Sequence, residues 1–423
     1  MSAVPFSLLP DHASVGTDGQ LLVAGCDTLA LAEQFGTPLF VYDEAHLRAR
    51  CREAVTAFGP GVNYATKAFL CKAMARLVCE EGMNLDVSTG GEYHVARAAG
   101  VPAGRLVLHG NNKSTDELRR ALGEGVGRVV VDSFDELDRI DALVAEGLGP
   151  PTVLLRITPG VEAHTHEFIR TGQDDSKFGF AVYNGDADRA IERAQRSTAV
   201  ELVGLHAHIG SQVFEAQFFE LAVEAMAGFV HQHDDLGELS LGGGLGVAYV
   251  EGERAPTITE WGAAIHHACA AAGITASVTA EPGRAIAASA AVTLYTVGTV
   301  KELPGIRTYV AVDGGMSDNP RPVLYGSGYE TFLPREVIAD RPREVTVVGK
   351  HCESGDKLVV GARVPADLMV GDVLATPVTG AYGHSMGSNY NKVVRPAVVF
   401  VRDGEARLVV RRETPDDLLR LDL

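Results

Sequence analysis

Lys67 lies at the end of a strand-like run of small and apolar residues, 62–68. A lysine at the end of a buried strand would lose hydration around its ammonium group, and desolvation favours the neutral amine that attacks carbonyl carbons. Lys67 is therefore a candidate for forming a Schiff base. The alternative is a surface lysine whose stem packs on the protein while its charge stays in water.

Two glycine-bearing segments further along the chain could bind an anion. Residues 242–246 read Gly-Gly-Gly-Leu-Gly, and residues 281–284 read Glu-Pro-Gly-Arg. Backbone N–H groups can crowd around a phosphate where side chains are absent, and Arg284 would add a positive charge. Tight turns also need glycine without any ligand, so the glycine run alone leaves phosphate binding open.

The elements that would position these residues alternate between strands and helices. Eight strands are predicted, at residues 61–68, 84–90, 106–112, 128–134, 152–159, 202–210, 238–246 and 277–284. Apolar residues recur at helical spacing between them, at 71–81, 91–99, 115–123, 135–146, 186–195 and 215–231. This alternation predicts an α/β fold, a parallel (β/α)8 TIM barrel.

A barrel of this kind collects its chemistry where the strands end. Lys67 ends the first predicted strand, and the ends of five others carry polar side chains or glycines: Asp86, Ser88, Thr89, His109, Asn111, His206, His208, 242–246, and 281–284. The loops after strands seven and eight commonly bind phosphate in barrels, which favours a phosphate site at 242–246 and Arg284.

These candidates together match the needs of pyridoxal phosphate. The cofactor requires a lysine for its Schiff base, a phosphate anchor, a group packed on its ring, and an anion beside its pyridine nitrogen. His208 could pack on the ring, and Glu281 could supply the anion. His208 could instead be a hydrogen-bonded core histidine and Glu281 an ion-pair partner of Arg284, but those alternatives do not predict that the residues converge.

The rest of the chain differs from the barrel. With 423 residues it exceeds the size of a single core. After residue 290 it becomes strand-rich with turn glycines, and the predicted strands are 291–300, 308–312, 343–348, 373–376, 397–402 and 406–411. We therefore predict a barrel at 37–290 and a C-terminal β-domain at 291–423, and we expect the N-terminal segment 1–36 to be part of that β-domain.

Composition narrows the partners and the compartment. A net charge of −18 without a basic cluster argues against nucleic acid. Six scattered cysteines without a CxxC pair favour a reducing compartment, and neither a signal peptide nor a membrane span is recognisable, so we expect a cytoplasmic protein. Two groups of possible metal ligands lack zinc-site spacing, and we expect no metal there: Glu162, His164 and His166, and His351 to Glu353.

Several motifs resemble those of the fold-type III pyridoxal-phosphate decarboxylases: 64–68 (YATKA), 86–92 (DVSTGGE), 208–212 (HIGSQ), 242–246 and 281–284. Further motifs are similar to the diaminopimelate decarboxylases within that group: 159–166, 176–179, 312–316, 321–325, 352–356 and 380–391. The resemblance covers nearly the whole chain. It implies an alanine racemase-like barrel and β-domain that convert meso-2,6-diaminopimelate to L-lysine and CO2 with pyridoxal 5'-phosphate, the last step of lysine biosynthesis.

The resemblance also assigns roles to residues. Lys67 would carry the cofactor, His208 would pack on its ring, and Glu281 would meet its pyridine nitrogen. The implied phosphate contacts are Ser211, Gly244, Gly283, Arg284 and Tyr382, and the implied substrate contacts are Arg284, Arg321, Tyr325, Glu353 and Tyr382. Cys352 resembles the proton donor. The family further implies a homodimer in which Cys352 and Glu353 serve the partner's active site.

Other functions remain open at this point. A decarboxylase of ornithine, arginine or a carboxylated polyamine would not need Arg321 for a distal carboxylate, and the 352–356 motif disfavours an alanine racemase. A non-catalytic pyridoxal-phosphate-binding regulator would not need both Lys67 and Cys352. The chain departs from the family pattern beside Tyr382, where His384 replaces a more usual apolar aromatic residue and Gly387 a more usual alanine.

Overall fold

The structure is a computed structural model that describes residues 3–159, 176–208 and 210–423. Two units can be distinguished. We call Arg50–Gly246 with Ala255–Ala285 the barrel unit, and Met1–Ala49 with Val247–Arg254 and Ile286–Leu423 the β-unit. The β-unit is thus built from both ends of the chain and one short internal segment.

The chain begins with short elements. These are β1 (Ala13–Val15), β2 (Leu21–Val23), β3 (Cys26–Asp27), α1 (Thr28–Phe35), β4 (Leu39–Asp43) and α2 (Glu44–Phe58). β1, β2 and β3 form a small antiparallel sheet. The Asp27 side chain accepts hydrogen bonds from the Leu29 and Ala30 N–H groups, which fixes the start of α1.

The barrel unit confirms the predicted parallel barrel. Its strands are β5 (Asn63–Ala65), β6 (Asn84–Val87), β7 (Leu106–Leu108), β8 (Arg128–Val131), β9 (Thr152–Thr158), β10 (Phe180–Ala181), β11 (Glu201–His206), β12 (Glu238–Ser240) and β13 (Ser277–Thr279). The helices are α3 (Lys72–Glu80), α4 (Gly90–Ala98), α5 (Thr115–Glu124), α6 (Phe134–Ala145), α7 (Asp186–Arg196), α8 (Ala216–Gln232) and α9 (Ile258–Ala271), and the short α10 (Arg284–Ala287) begins at the end of the barrel unit.

Eight of these strands form one sheet in the order β13-β12-β11-β9-β8-β7-β6-β5, and β10 pairs with β9. The sheet nearly closes on itself. The Asn63 N–H donates to the Ala280 carbonyl at 3.0 Å, and the Ala65 N–H donates to the Pro282 carbonyl at 3.4 Å. These bonds join β5 to the residues after β13, so the carboxyl ends of all eight strands face one rim.

The strands end earlier than the sequence predicted. The first ends at Ala65 rather than residue 68, and the seventh ends at Ser240 rather than residue 246. Buried loops at the rim caused the overestimate, because Ala68 and Phe69 are as apolar and as buried as strand residues. Side-chain caps then begin the helices close to the rim, as where Thr89 accepts a hydrogen bond from the Glu92 N–H at the start of α4.

The β-unit contains β14 (Ala291–Leu303), β15 (Arg307–Val312), α11 (Arg321–Tyr325), β16 (Arg343–Val348), β17 (Lys357–Val364), β18 (Val373–Pro377), β19 (Ala397–Arg402) and β20 (Glu405–Val410). Its sheet has the order β17-β16-β15-β14-β4-β19-β20, with β18 paired to β14. Apolar residues of several strands form its core, among them Leu39, Val41, Val292, Leu294, Phe332 and Val399.

Two sequence expectations for the β-unit were wrong. β4 was assigned to a barrel starting at residue 37, but it pairs with β14 and β19, and the barrel unit begins at Arg50. A fully buried run such as Leu39–Asp43 has the same pattern in either sheet. β17 was missed because Gly361, with φ of +67°, interrupts its apolar pattern.

Every helix among the described residues is too short or too polar to cross a bilayer.

Candidate active site

Lys67 lies in a turn two residues beyond β5, and its side chain is exposed. The expectation of a strand-end lysine desolvated by its surroundings is therefore wrong. The turn is fixed from β6, because the Thr66 hydroxyl and N–H both donate to the Asp86 carbonyl, at 2.7 and 3.1 Å. Lys67 is thus held at the rim of the barrel by its backbone, with its amine open to a reaction partner.

Two carboxyl groups that the sequence did not select as site residues interact with the charge of Lys67. Burial raises the pKa of Asp86 to about 6, although the positive charges of His109 and Lys67 act to lower it. Burial also raises the pKa of Glu92, which accepts a hydrogen bond from the Ser88 N–H at 2.6 Å. Both residues belong to the 86–92 motif, which was used to recognise the family, and Asp86 was also noted as a strand-end residue without being given a role.

Glu281 is the centre of a buried polar cluster at the rim, where it is 5% exposed. Its Oε1 lies 3.2 Å from Nε2 of His109 and accepts a hydrogen bond from the Ser240 hydroxyl at 3.1 Å. Its Oε2 lies 3.1 Å from Nε2 of His206. The two imidazole rings meet edge to face, with centroids 4.9 Å apart. The last residues of β11 and β12 and the segments just after β7 and β13 each contribute one member of this cluster.

The cluster carries a defined distribution of charge. Burial opposes ionisation of Glu281, but His109 and His206 hold its pKa well below the usual range. The pKa of His109 is raised, because Asp86 and Glu281 outweigh the burial that would lower it. Burial lowers the pKa of His206 to about 4. At neutral pH the carboxylate is therefore charged, the His206 ring is neutral, and the site can stabilise a cation placed against Glu281.

His208 lies two residues beyond β11. The Gly243 N–H donates to its Nδ1 at 3.3 Å, which leaves the Nε2 nitrogen to carry the proton of the neutral ring. Burial and the positive charge of Lys67 place the pKa of His208 well below its usual range. A neutral, oriented imidazole of this kind can pack on an aromatic cofactor.

The predicted phosphate residues lie around joined loops. The Val213 N–H donates to the Gly244 carbonyl and the Gly246 N–H donates to the Val213 carbonyl, both at 2.9 Å. Gly244 has φ of +114°, and a Cβ there would lie 2.5 Å from the Gly210 carbonyl oxygen. A Cβ on Gly283 would lie 2.8 Å from the Ala65 carbonyl oxygen. Only glycine permits these backbone approaches.

Arg284 and Ser211 lie beside each other, with the guanidinium donating to the Ser211 hydroxyl at 3.3 Å. A cation, a hydroxyl and two crowded glycines suit a phosphate. Together with Lys67, His208 and Glu281, the barrel unit therefore offers a group for each part of pyridoxal phosphate, and the residues present fit that cofactor.

Arg156 on β9 is a further site residue that the sequence did not indicate. Its guanidinium stacks 4.2 Å from the centroid of the Phe178 ring and lies 3.8 Å from the Asp132 carboxylate. Burial lowers its pKa, while Asp132, Glu281 and Asp86 act in the opposite direction. A lone arginine inside a strand pattern gave no signal, because it resembles a surface residue.

In the β-unit, Arg321 is 5% exposed and its guanidinium is surrounded by aromatic side chains. It donates to the Tyr329 hydroxyl at 2.6 Å and lies 4.1 Å from the centroid of the Tyr249 ring. Across the part of the chain that the structure describes, no carboxylate pairs with Arg321. A buried guanidinium without an acidic partner is suited to bind an anionic ligand. Tyr325, at the end of the same short helix, is 66% exposed.

The remaining predicted residues of the β-unit lie on loops that share hydrogen bonds. Asp356 accepts from the Met316 N–H at 2.7 Å and from the His351 N–H at 2.9 Å. The His351 ring also contacts the Ser317 hydroxyl at 2.8 Å, and the Cys352 N–H donates to the Asn391 side chain at 3.1 Å. The Cys352 thiol and the Glu353 carboxylate are exposed. The loop carrying both is therefore tied to the segment that leads into Arg321.

Tyr382 has φ of +62°, a left-handed conformation that is strained for tyrosine and often marks a functional position. The two unusual residues beside it have local explanations. His384 packs edge to face on Phe40, with ring centroids 5.9 Å apart. At Gly387, a Cβ would lie 3.1 Å from the His384 carbonyl oxygen and 3.2 Å from that of Ser317, so alanine would be crowded.

The motif at 159–166, with Glu162, His164 and His166, lies outside the described residues from Gly160 on, and so does Ile209. Among the described residues, His109, His206 and Glu281 place one donor atom each within 4.8 Å of one another, as metal ligands do. The contacts of both histidines with the carboxylate account for this spacing. All six cysteines are free thiols.

Comparison with known proteins agrees with the geometry. The family described as "Pyridoxal-dependent decarboxylase, pyridoxal binding domain" matches residues 44–288. Diaminopimelate decarboxylase of Mycobacterium tuberculosis (strain ATCC 25618 / H37Rv) is 48% identical, over 96% of this chain and 95% of its own. That of Bacillus subtilis (strain 168) is 47% identical with the same coverage.

A solved structure is similar over nearly the whole chain. Diaminopimelate decarboxylase from M. jannaschii, in complex with L-lysine, superimposes with a TM-score of 0.91 at 32% identity, over 98% of each chain. Sequence and structure comparisons thus point to the same relatives.

Proposed function

The chain belongs to the diaminopimelate decarboxylase family, and we propose that it decarboxylates meso-2,6-diaminopimelate to L-lysine and CO2 with pyridoxal 5'-phosphate. The observation that carries this function is the Glu281 carboxylate, a buried anion at the rim of the barrel with both oxygens held by neighbours. A pyridine nitrogen beside such an anion stays protonated. The cofactor, when bound, supplies an electron sink for the bond that loses CO2.

The barrel residues divide the work of holding the cofactor. The Lys67 amine would bind its aldehyde carbon covalently, and His208 would orient its ring. The proposed phosphate contacts are Ser211, Gly244, Gly283, Arg284 and Tyr382.

The β-unit provides groups for the far end of the substrate, which carries an ammonium and a carboxylate at both ends. We infer that Arg321 binds the distal carboxylate, because its buried guanidinium lacks an acidic partner among the described residues and its planar fork can donate two parallel hydrogen bonds. Glu353 would bind the distal ammonium. Arg284, Tyr325 and Tyr382 complete the proposed substrate contacts.

Cys352 is the proposed proton donor to the carbon that has lost CO2, since its exposed thiol can release a proton that backbone groups cannot. We further infer that the chain acts as a homodimer in which Cys352 and Glu353 of one copy serve the barrel of the other. The family resemblance supports this arrangement. We also propose that the enzyme is cytoplasmic.

A trapping experiment tests the cofactor site. Wild-type protein incubated with pyridoxal phosphate and then reduced with borohydride should carry one cofactor mass on the peptide that contains Lys67, because borohydride reduces an imine to a stable amine. Lys67→Ala should lose the label, whereas Lys72→Ala, the next lysine along the chain, should keep it. Label on another lysine in wild type, or no label, would contradict the proposed site.

A further inference from the structure

The Glu281 carboxylate is enclosed by side chains that come from separate strands. His109 approaches Oε1 at 3.2 Å and His206 approaches Oε2 at 3.1 Å, so the two imidazoles contact opposite oxygens. All three residues are at most 5% exposed. Ser240 donates to Oε1 as well. The sequence placed both histidines at strand ends but gave neither a role in the site.

We propose that His109 and His206 are positioning residues that clamp Glu281 between them and keep it an anion for the pyridine nitrogen of the cofactor. This inference rests on the proposed function. It assigns the task of keeping the cofactor's pyridine nitrogen protonated to three buried side chains instead of Glu281 alone.

Burial explains why a clamp is needed. A carboxyl group removed from water favours its neutral acid form, and a neutral Glu281 would no longer hold a proton on the pyridine nitrogen. Two polar contacts from imidazole nitrogens, one to each oxygen, replace the lost water. The clamp also fixes both oxygens, so the carboxylate cannot rotate away from its ligand.

The two histidines act in different ways. His109 lies between two carboxyl groups, 3.2 Å from Glu281 and 3.7 Å from Asp86, and it can carry the positive charge that balances them. His206 lies on the other side as a neutral ring and donates its Nε2 proton to Glu281. Its Nδ1 has no hydrogen-bond partner among the described residues.

The other charges that act on Glu281 must be kept in place for any test. The Asp86 carboxyl group on β6 opposes the ionisation of Glu281, and the Arg156 guanidinium on β9 favours it. His208, beyond β11, also interacts with the charge of Glu281. Changes at His206 leave these residues and Lys67 intact, which makes His206 the cleaner position to vary.

The test compares His206→Phe with His206→Gln, whose amide can donate from nearly the position of Nε2. In His206→Phe, the infrared carbonyl stretch of a protonated carboxyl group should appear at pH 7 and disappear when Glu281→Gln is added. The kcat of the same variant should fall about tenfold to a hundredfold, because one hydrogen bond to a charged group is lost. Its KM should change by less than about threefold. His206→Gln should recover most of kcat and lack the infrared band.

A double-mutant cycle separates positioning from structure. If His206 acts through Glu281, adding His206→Phe to Glu281→Gln should lower kcat by less than about twofold further. His46→Phe, which removes an equally buried histidine of the β-unit, controls for loss of an imidazole and should keep kcat. No infrared band in a folded His206→Phe, or equal kcat for His206→Phe and wild type, would overturn the clamp. A wild-type protein that releases no CO2 from meso-diaminopimelate would instead refute the proposed function.

Discussion

Arg321 lies against two tyrosine rings instead of a carboxylate, and this environment prepares it for a ligand. The Tyr329 hydroxyl fixes one terminal nitrogen of the guanidinium at 2.6 Å, while the face of Tyr249 packs against its plane. A planar group held in this way loses little entropy when it binds a carboxylate. Selectivity for meso-diaminopimelate should therefore depend on Tyr329 and Tyr249, which orient the Arg321 guanidinium.

We expect Tyr329→Phe to raise KM for meso-diaminopimelate about tenfold while kcat changes less than about threefold, because the aromatic packing remains but the hydrogen bond to a charged group is lost. Steady-state CO2 release measures both constants. Tyr183→Phe, at a tyrosine that is 62% exposed, is the matched control and should behave as wild type. An unchanged KM in Tyr329→Phe would refute this positioning role.

His384 gives a prediction for pH. Burial lowers its pKa to about 4 from the ordinary 6.5, so the unfolded chain binds more protons than the folded chain between these values. Stability from this residue is full above pH 6.5 and falls as the pH drops towards 4. His384→Phe should reduce the slope of unfolding free energy against pH in this window by about one proton. Denaturant titrations at several pH values measure the slope. His267→Phe, at an exposed histidine, is the control and should leave the slope unchanged. An unchanged slope in His384→Phe would contradict the assignment.

At the scale of elements, a buried ion pair joins the loop after β7 to α6. The Lys113 ammonium lies 2.8 Å from the Glu136 carboxylate, both side chains are 1% exposed, and Lys113 also donates to the Gly110 and Val130 carbonyls at 2.7 Å. Glu136 in turn accepts a hydrogen bond from the Asp132 N–H at 3.0 Å. The pair therefore holds the ends of two neighbouring strands at the rim where the site is built.

Lys113→Met should lower the free energy of unfolding by about 3–5 kcal/mol, because it leaves Glu136 buried without its partner. The double variant with Glu136→Gln should recover part of this loss, since the amide is uncharged and can still accept from Asp132. Arg120→Met, which removes an exposed ion pair with Glu124, should cost less than about 1 kcal/mol. Denaturant unfolding measures the free energy of unfolding of all three variants. Equal losses in Lys113→Met and Arg120→Met would contradict the prediction that the buried pair contributes more to stability than the exposed pair.

The elements also show what the sequence can and cannot predict. The eight barrel strands, six of the helices between them and the glycine loops were predicted, since buried runs and helical spacing are local patterns, but α9 was missed and the first and seventh strands end earlier than predicted. Residues 39–43 were assigned to the barrel and not to the β-unit, because a fully buried run does not specify which sheet it joins. His109 and His206 were recognised only as strand-end residues, because their contact with Glu281 joins positions 75 or more apart in the chain.

At the scale of the whole molecule, the proposed homodimer predicts complementation between inactive chains. If Cys352 serves the partner's barrel, a dimer of Lys67→Ala with Cys352→Ala contains one intact site, formed by Lys67 of one copy and Cys352 of the other. Random pairing makes half of the dimers mixed, so co-expressed variants should show about a quarter of wild-type activity.

Co-expression with two affinity tags isolates the mixed dimers, and CO2 release per site gives the result. Each variant expressed alone is the control and should be nearly inactive. Mixed dimers without activity would place Cys352 at the barrel of its own chain, whereas an active Cys352→Ala homodimer would remove it from the chemistry.

The central claim concerns the substrate, and it is tested most directly by CO2 release from meso-diaminopimelate, ornithine, arginine and lysine at equal concentrations with added pyridoxal phosphate. If Arg321 binds the distal carboxylate as proposed, the site should reject substrates that lack one, because the guanidinium is then left unpaired. We expect kcat/KM for meso-diaminopimelate to exceed the others by at least about a thousandfold. A preference for ornithine, arginine or lysine would contradict the account.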